Sequence, residues 1–196
     1  LAKPQAELIP SRHLHKGRGS GTAVTMAQVD EPIQLSTYDP AWPKLFAAEA
    51  RRVLADQCTN IGIEYIGSTA VPGLLAKPII DIMLGVDSQE AVEHVRRRLV
   101  ALGYEDCGEA GVPGRIYLRR RAENDFNVAL VVRNGRLWRA NIALRNYLRA
   151  NDDARREYAE AKLAAVERGA KTLLAYSEQK DLVVSKLVSR ALEHDL

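Results

Sequence analysis

At 196 residues, 46% of them hydrophobic and 27% charged, the chain can bury one core and has the profile of a soluble globular domain. A net charge of +3 suits a phosphate-bearing ligand but is too small to imply a nucleic-acid surface by itself. The two cysteines, Cys58 and Cys107, lack the paired spacing of a zinc site and point to reduced thiols in a cytoplasmic setting, and no apolar run reaches the length of a membrane helix.

The first thirty residues have no apolar stretch for a signal peptide, and "KGRGSG" reads as linker, so residues 1–30 are expected to form a flexible extension ahead of one domain over 31–196. Met26 reads as a natural start, and His13 and His15 as incidental tail histidines. A helix then opens at "YDPAWPKLF", with Asp39 as its expected cap and Phe46, Ala50, Val53 and Leu54 on one face. Ile61 to Ile66 reads as a strand, and Pro78 to Val86 as a second, more buried one. Ser88 caps an amphipathic helix whose stripe is Val92, Val95, Leu99 and Leu102, and Gly103 ends it. Loop and strands follow through "RIYLRR" and "FNVALVV", and Asn134-Gly135 marks a turn. The last third reads as three helices, about 137–150, 152–168 and 177–194, the last capped by Ser177. This order predicts an α/β (α+β) domain: a mixed sheet with flanking helices, expected on one side, and a C-terminal helical segment.

The chemistry concentrates in "IGSTAVPGLLAKPIIDIMLGV". A strand ends in Gly67-Ser68-Thr69, and one acid, Asp81, stands inside the next apolar strand. A carboxylate there is costly to bury without a partner or a metal. Gly67 lets the backbone turn tightly, while Ser68 and Thr69 offer hydroxyls and N–H groups to phosphate oxygens. Asp81 would point to the same mouth and could ligate Mg²⁺ against those phosphates, with Lys77 as a further cation. The plainer alternatives are a structural strand-to-loop turn and an acid bonded to a neighbouring backbone group or to Lys77. A Walker phosphate loop is absent, and no Ser-His-Asp or Cys-His set stands out.

Gly67-Ser68 followed by Asp81 resembles the signature of the nucleotidyltransferase (polymerase-beta-like) superfamily. More closely, "YDPAWPKLF", "IGSTAVPGLLAKPIIDIMLGV", "LRNYLRAN" and "AYSEQKDLVVSKLV" resemble the GrpB family, from about Tyr38 to Ala191. The resemblance implies a nucleotidyltransferase-like fold, a nucleotide-linked site and a loose link to coenzyme A biosynthesis. Lys180 lies in one of the matched segments and is a natural triphosphate contact. The superfamily's second acid would fall at Met83, and its third on the strand "ENDFNVALVV". Phe126, Asn127 and Ala129 stand where GrpB relatives commonly carry histidines, leaving Asp125 as the candidate extra acid.

The primary expectation is an enzyme that binds a nucleoside triphosphate with Mg²⁺ and transfers its nucleotidyl group to a small-molecule or protein acceptor. Gly67, Ser68, Thr69, Lys77 and Lys180 would hold the ligand, and Asp81 and Asp125 would be its catalytic acids. A binding module that senses or carries a nucleotide or coenzyme A-like ligand is the alternative, motivated by Met83 and the missing histidines. An interaction partner with a purely structural "GSTAVPG" loop is the third.

Overall fold

The computed structural model describes residues 30–55 and 60–194. The expected extension, apart from Asp30, lies outside these residues with Met26, His13 and His15, as does Cys58. Cys107 is buried and free.

The chain runs through helix α1 (Trp42–Leu54), strands β1 (Gly62–Ile66) and β2 (Ile79–Val86), helix α2 (Gln89–Ala101) and strands β3 (Glu105–Asp106), β4 (Ile116–Arg120) and β5 (Asp125–Val132). Helices α3 (Arg136–Ala150), α4 (Asp152–Glu167) and α5 (Leu173–His194) close it. The strands form one mixed sheet in the order β1-β2-β5-β4-β3. Only β2 and β5 are parallel, and the other three pairs are antiparallel. The expected fold class therefore holds.

Alternation along β2 sorts the helices. Ile80, Ile82, Leu84 and Val86 point into the main core, where Trp42, Val53, Val92, Val95 and Leu99 from α1 and α2 cover them. Met83 points the other way and packs with Ile66, Val131 and Trp138 of α3. Helices thus lie on both faces, which corrects the one-sided expectation. The strands carry apolar side chains toward both faces, and each face needs a cover. Room for the indole comes from a cross-strand glycine pair, Gly62 opposite Gly85. A Cβ on Gly85 would stand 2.4 Å from Trp138 Cζ3.

Local signals mark most boundaries. Ser88 Oγ accepts from the Ala91 N–H at 3.2 Å and caps α2, and Gly103 follows that helix with φ +85°. Asn134 adopts φ 59°, so Asn134-Gly135 does turn the chain, leading from β5 into α3. Two starts differ from expectation. Asp39 accepts from the Ala41 N–H at 2.8 Å and builds the turn ahead of α1, whose first helical residue is Trp42. Helix α5 begins at Leu173, ahead of Ser177. Thr172, directly before the helix, is the local cap, its Oγ1 accepting from the Ala175 N–H at 3.5 Å, and Asp30, 144 residues away in sequence, adds a shorter bond from the Leu174 N–H at 2.8 Å.

Candidate functional site

Strand β1 ends at Ile66, which pairs directly with Asp81 of β2. Gly67 follows with φ 73° and ψ −172°, a combination essentially reserved for glycine, and Ser68–Ala70 make one 3₁₀ turn. A Cβ on Gly67 would meet Asp81 Oδ2 at 2.2 Å. The glycine is required both by the backbone and by the carboxylate pressed against it.

Asp81 sits opposite Asn127 of the parallel strand β5, whose Nδ2 donates to Asp81 Oδ1 at 2.8 Å. The amide orientation is set from behind: Asn127 Oδ1 accepts from the Tyr117 hydroxyl at 2.8 Å and from Arg121 Nη2 at 2.9 Å. Arg121 is in turn held by Glu31 at 2.7 Å. Burial raises the Asp81 carboxyl above its ordinary range, opposed by the Asn127 hydrogen bond and by Lys77, Lys180 and Arg121.

Beside this carboxylate lies a cavity of about 640 Å³, lined by Gly67, Ser68, Thr69, Lys77, Asp81 and Lys180 among others. Six of the residues singled out from sequence are thus brought together. Their roles differ from one another. Thr69 is buried and its Oγ1 donates to the Ile79 carbonyl at 3.3 Å, while its own carbonyl accepts from the Tyr65 hydroxyl at 2.8 Å. Its side chain is committed to the fold. Lys77, just before β2, is held below the ordinary lysine range by burial, which outweighs the attraction of Asp81. Lys180 Nζ stands 5.4 Å from the Tyr176 ring and 5.7 Å from the Tyr158 ring.

Asp125 is not among the cavity's lining residues. It opens β5 opposite Ile79, two residues before Asn127, and Asn127 is the β5 residue that reaches Asp81. The expected extra acid is therefore displaced by an amide. Met83, the place of the superfamily's second acid, is fully buried beneath Trp138. Among the described residues no group of three His, Cys, Asp or Glu side chains could hold a metal ion. A two-metal centre does not fit this donor set. One Mg²⁺ fits only if the ligand's own phosphate oxygens complete its shell around Asp81.

Sequence reasoning missed Lys162, the most buried charge of the site at 1% exposure. Its Nζ lies 2.7 Å from Ser68 Oγ and 2.7 Å from the Leu75 carbonyl, and 4.1 Å from the Tyr158 ring centroid. Desolvation lowers its amine to about 8, opposed by Tyr158 and reinforced by the nearby Lys180. Burial alone would raise the Tyr158 phenol, yet Lys180 and Lys162 prevail and bring it to about 8. A signal existed: Ala154, Tyr158, Lys162 and Ala165 follow the i, i+4, i+8, i+11 stripe that α4 buries, and a lysine on such a stripe needs a reason.

The arrangement concentrates lysine cations and hydroxyls beside one carboxylate, which suits oxyanions better than it suits a cage for bare metal. Among the described residues no helix is long and apolar enough to cross a membrane. Comparison with known proteins agrees with the sequence resemblance. A UPF0157 protein of Pseudomonas aeruginosa is 37% identical over 175 residues, covering 83% of this chain and 69% of that protein. The crystal structure of the conserved protein GrpB from Enterococcus faecalis superposes with a TM-score of 0.70 at 32% identity, covering 82% of this chain and 98% of that one. A dephospho-CoA kinase of Mycolicibacterium paratuberculosis is 28% identical over 181 residues, which span 76% of this chain and only 44% of the kinase. The GrpB protein family matches residues 32–190, and on that match, carried over sheet, turn and cavity, the chain belongs to the GrpB family.

Proposed function

We propose that the cavity binds a nucleoside triphosphate by its phosphates and that the chain serves nucleotidyl transfer, with lysine cations taking over much of the charge neutralisation. The observation that carries this reading is the closed set around one turn. Gly67 presses against Asp81, Ser68 faces Lys162 at 2.7 Å, and Lys77 and Lys180 line the same cavity. Fixed donors and cations in a partly desolvated cleft stabilise charge on a phosphoryl group without reorganising during reaction. A single Mg²⁺ arriving with the ligand would be held by Asp81 and would add to that neutralisation.

A second reading is a binding module for a nucleotide or coenzyme A-related ligand. The burial of Met83 and the amide of Asn127 at the third-acid strand favour it, as does the similarity to the mycobacterial dephospho-CoA kinase.

Calorimetric titration of wild type and Asp81→Asn with ATP, GTP, CTP and UTP, with and without Mg²⁺, tests both. Mg²⁺-dependent binding that weakens at least tenfold in the variant is the expected result. Binding indifferent to Mg²⁺ and to the variant supports the module. Absence of binding in every arm removes nucleoside triphosphates as ligands.

A further inference from the structure

The Ser68–Lys162 contact has the parts of an activated nucleophile. Ser68 opens the 3₁₀ turn directly after the glycine-only geometry of Gly67, and it lines the cavity. Lys162 reaches it from α4, across the cavity wall, at 2.7 Å. The amine is itself oriented by a third group, the Leu75 carbonyl, and by the Tyr158 ring beneath it. A nucleophile, a base within hydrogen-bond reach and a group that aims the base are the general requirements of covalent catalysis. With a neutral amine the geometry is self-consistent. Lys162 Nζ donates to the Leu75 carbonyl and to Ser68 Oγ; once deprotonated it would keep the Leu75 bond while its lone pair is placed to take the Ser68 proton.

Burial favours that neutral form, and an amine lowered to about 8 is suited to take a proton near neutral pH. The charged or titratable groups acting on it are Tyr158 of its own helix, Lys180 of α5, Asp81 of β2 and Lys77 before β2. Lys180 and Lys77 disfavour its protonation, while Asp81 and Tyr158 oppose them.

We propose that Ser68 is a nucleophile, with Lys162 as its general base, and that it accepts the nucleotidyl group as a covalent intermediate. This rests on the reading of the ligand as a nucleoside triphosphate. Ser68 Oγ would attack the α-phosphorus. The Oγ–P bond forms as the bond from that phosphorus to the bridging oxygen breaks. Pyrophosphate leaves with that electron pair, and the serine proton passes to Lys162 Nζ. A later acceptor hydroxyl, amine or phosphate, or water, would release the group by a second displacement. The acceptor–P bond forms as the Oγ–P bond breaks, and Ser68 Oγ leaves with that electron pair and regains the proton from Lys162 Nζ. Lysine at Ser68 therefore has a task that phosphate binding alone does not require.

The test is intact-mass and peptide mass spectrometry of the full chain after incubation with Mg²⁺ and ATP. Parallel samples carry label at the α- or the γ-phosphate, and calorimetry measures binding for every variant. The expected result is α-label retained on Ser68 and no γ-label. The label should be absent in Ser68→Ala and reduced at least a hundredfold in Lys162→Arg, which keeps a cation and donors but offers no base near neutral pH. Labelling in wild type should rise about tenfold per pH unit below pH about 8 and level off above it. Binding of ATP without a mass change in wild type overturns the covalent step and leaves nucleotide binding intact. Labelling that persists unchanged in Lys162→Arg overturns the base assignment. Failure to bind any of ATP, GTP, CTP and UTP, each of which replaces ATP in the incubation if it is the one bound, defeats the nucleotide reading, and the covalent proposal falls with it.

Discussion

Gly67 and Asp81 fit against each other so closely that a methyl group on the glycine would stand 2.2 Å from the carboxylate oxygen Oδ2. The turn that presents Ser68 and the acid that faces it are one unit, built by pairing the last residue of β1 with Asp81.

Gly67→Ala is expected to cost roughly 1–3 kcal/mol from backbone strain alone, because φ 73° with ψ −172° is nearly closed to other residues. Displacement of Asp81 adds to that. Urea denaturation should show the loss of stability, and calorimetry should show loss of ligand binding beyond it. A variant that binds and unfolds like wild type would contradict the assigned fit.

Lys162 predicts a pH signature. Its amine is lowered to about 8 in the folded chain, whereas an exposed lysine titrates near 10.4. Between those values the unfolded chain binds more protons, so stability rises with pH through that window. The gain is progressively lost as pH falls toward 8. Lys162→Met should remove this slope, and the difference in Tm between wild type and variant should shift in favour of wild type from pH 8 to 10. Tyr158 titrates in the same region, so the comparison belongs in a Tyr158→Phe background.

Met83→Asp would restore an acid to the second position of the superfamily signature, but at a site with 0% exposure against Trp138, Val131 and Ile66. An unpaired carboxylate there is expected to cost roughly 3–5 kcal/mol. Chemical denaturation should register that loss, with no gain in nucleotidyl transfer. Restored activity in a stable variant would show that α3 can give way.

Asn127→Asp tests the neighbouring position more gently. It would set a second carboxylate beside Asp81, in place of the amide that now donates at 2.8 Å. Without divalent ions the two charges repel, so Tm should fall. Mg²⁺ should restore it and bind at least tenfold more tightly than to wild type. Arg121, which already donates to this side chain, would moderate the repulsion. A Tm insensitive to Mg²⁺ would argue against a cation ever occupying this mouth.

The element order was readable because most boundaries carry a local signal, such as the Ser88 cap or the Asn134-Gly135 turn. The continuous apolar run of β2 likewise reads as a well-buried strand. The start of α5 differs from the Ser177 expectation because two capping residues compete along this stretch, and Thr172 prevails with the added bond from distant Asp30. Gly67, Ser68 and Asp81 were legible together since one antiparallel pairing and one short connection join them. Asn127 could be assigned to the right strand, but only the parallel register with β2 makes it Asp81's partner in place of Asp125.

By itself the sequence determined the family, the strand–turn–strand motif and the single acid within it, all of which depend on residues close along the chain. Tertiary structure alone decided that helices cover both faces and that Met83 is sealed beneath Trp138. It also decided that Lys162, 94 residues beyond Ser68, completes the site. Side-chain periodicity says that a residue is buried; only the packing of one element on another says against what.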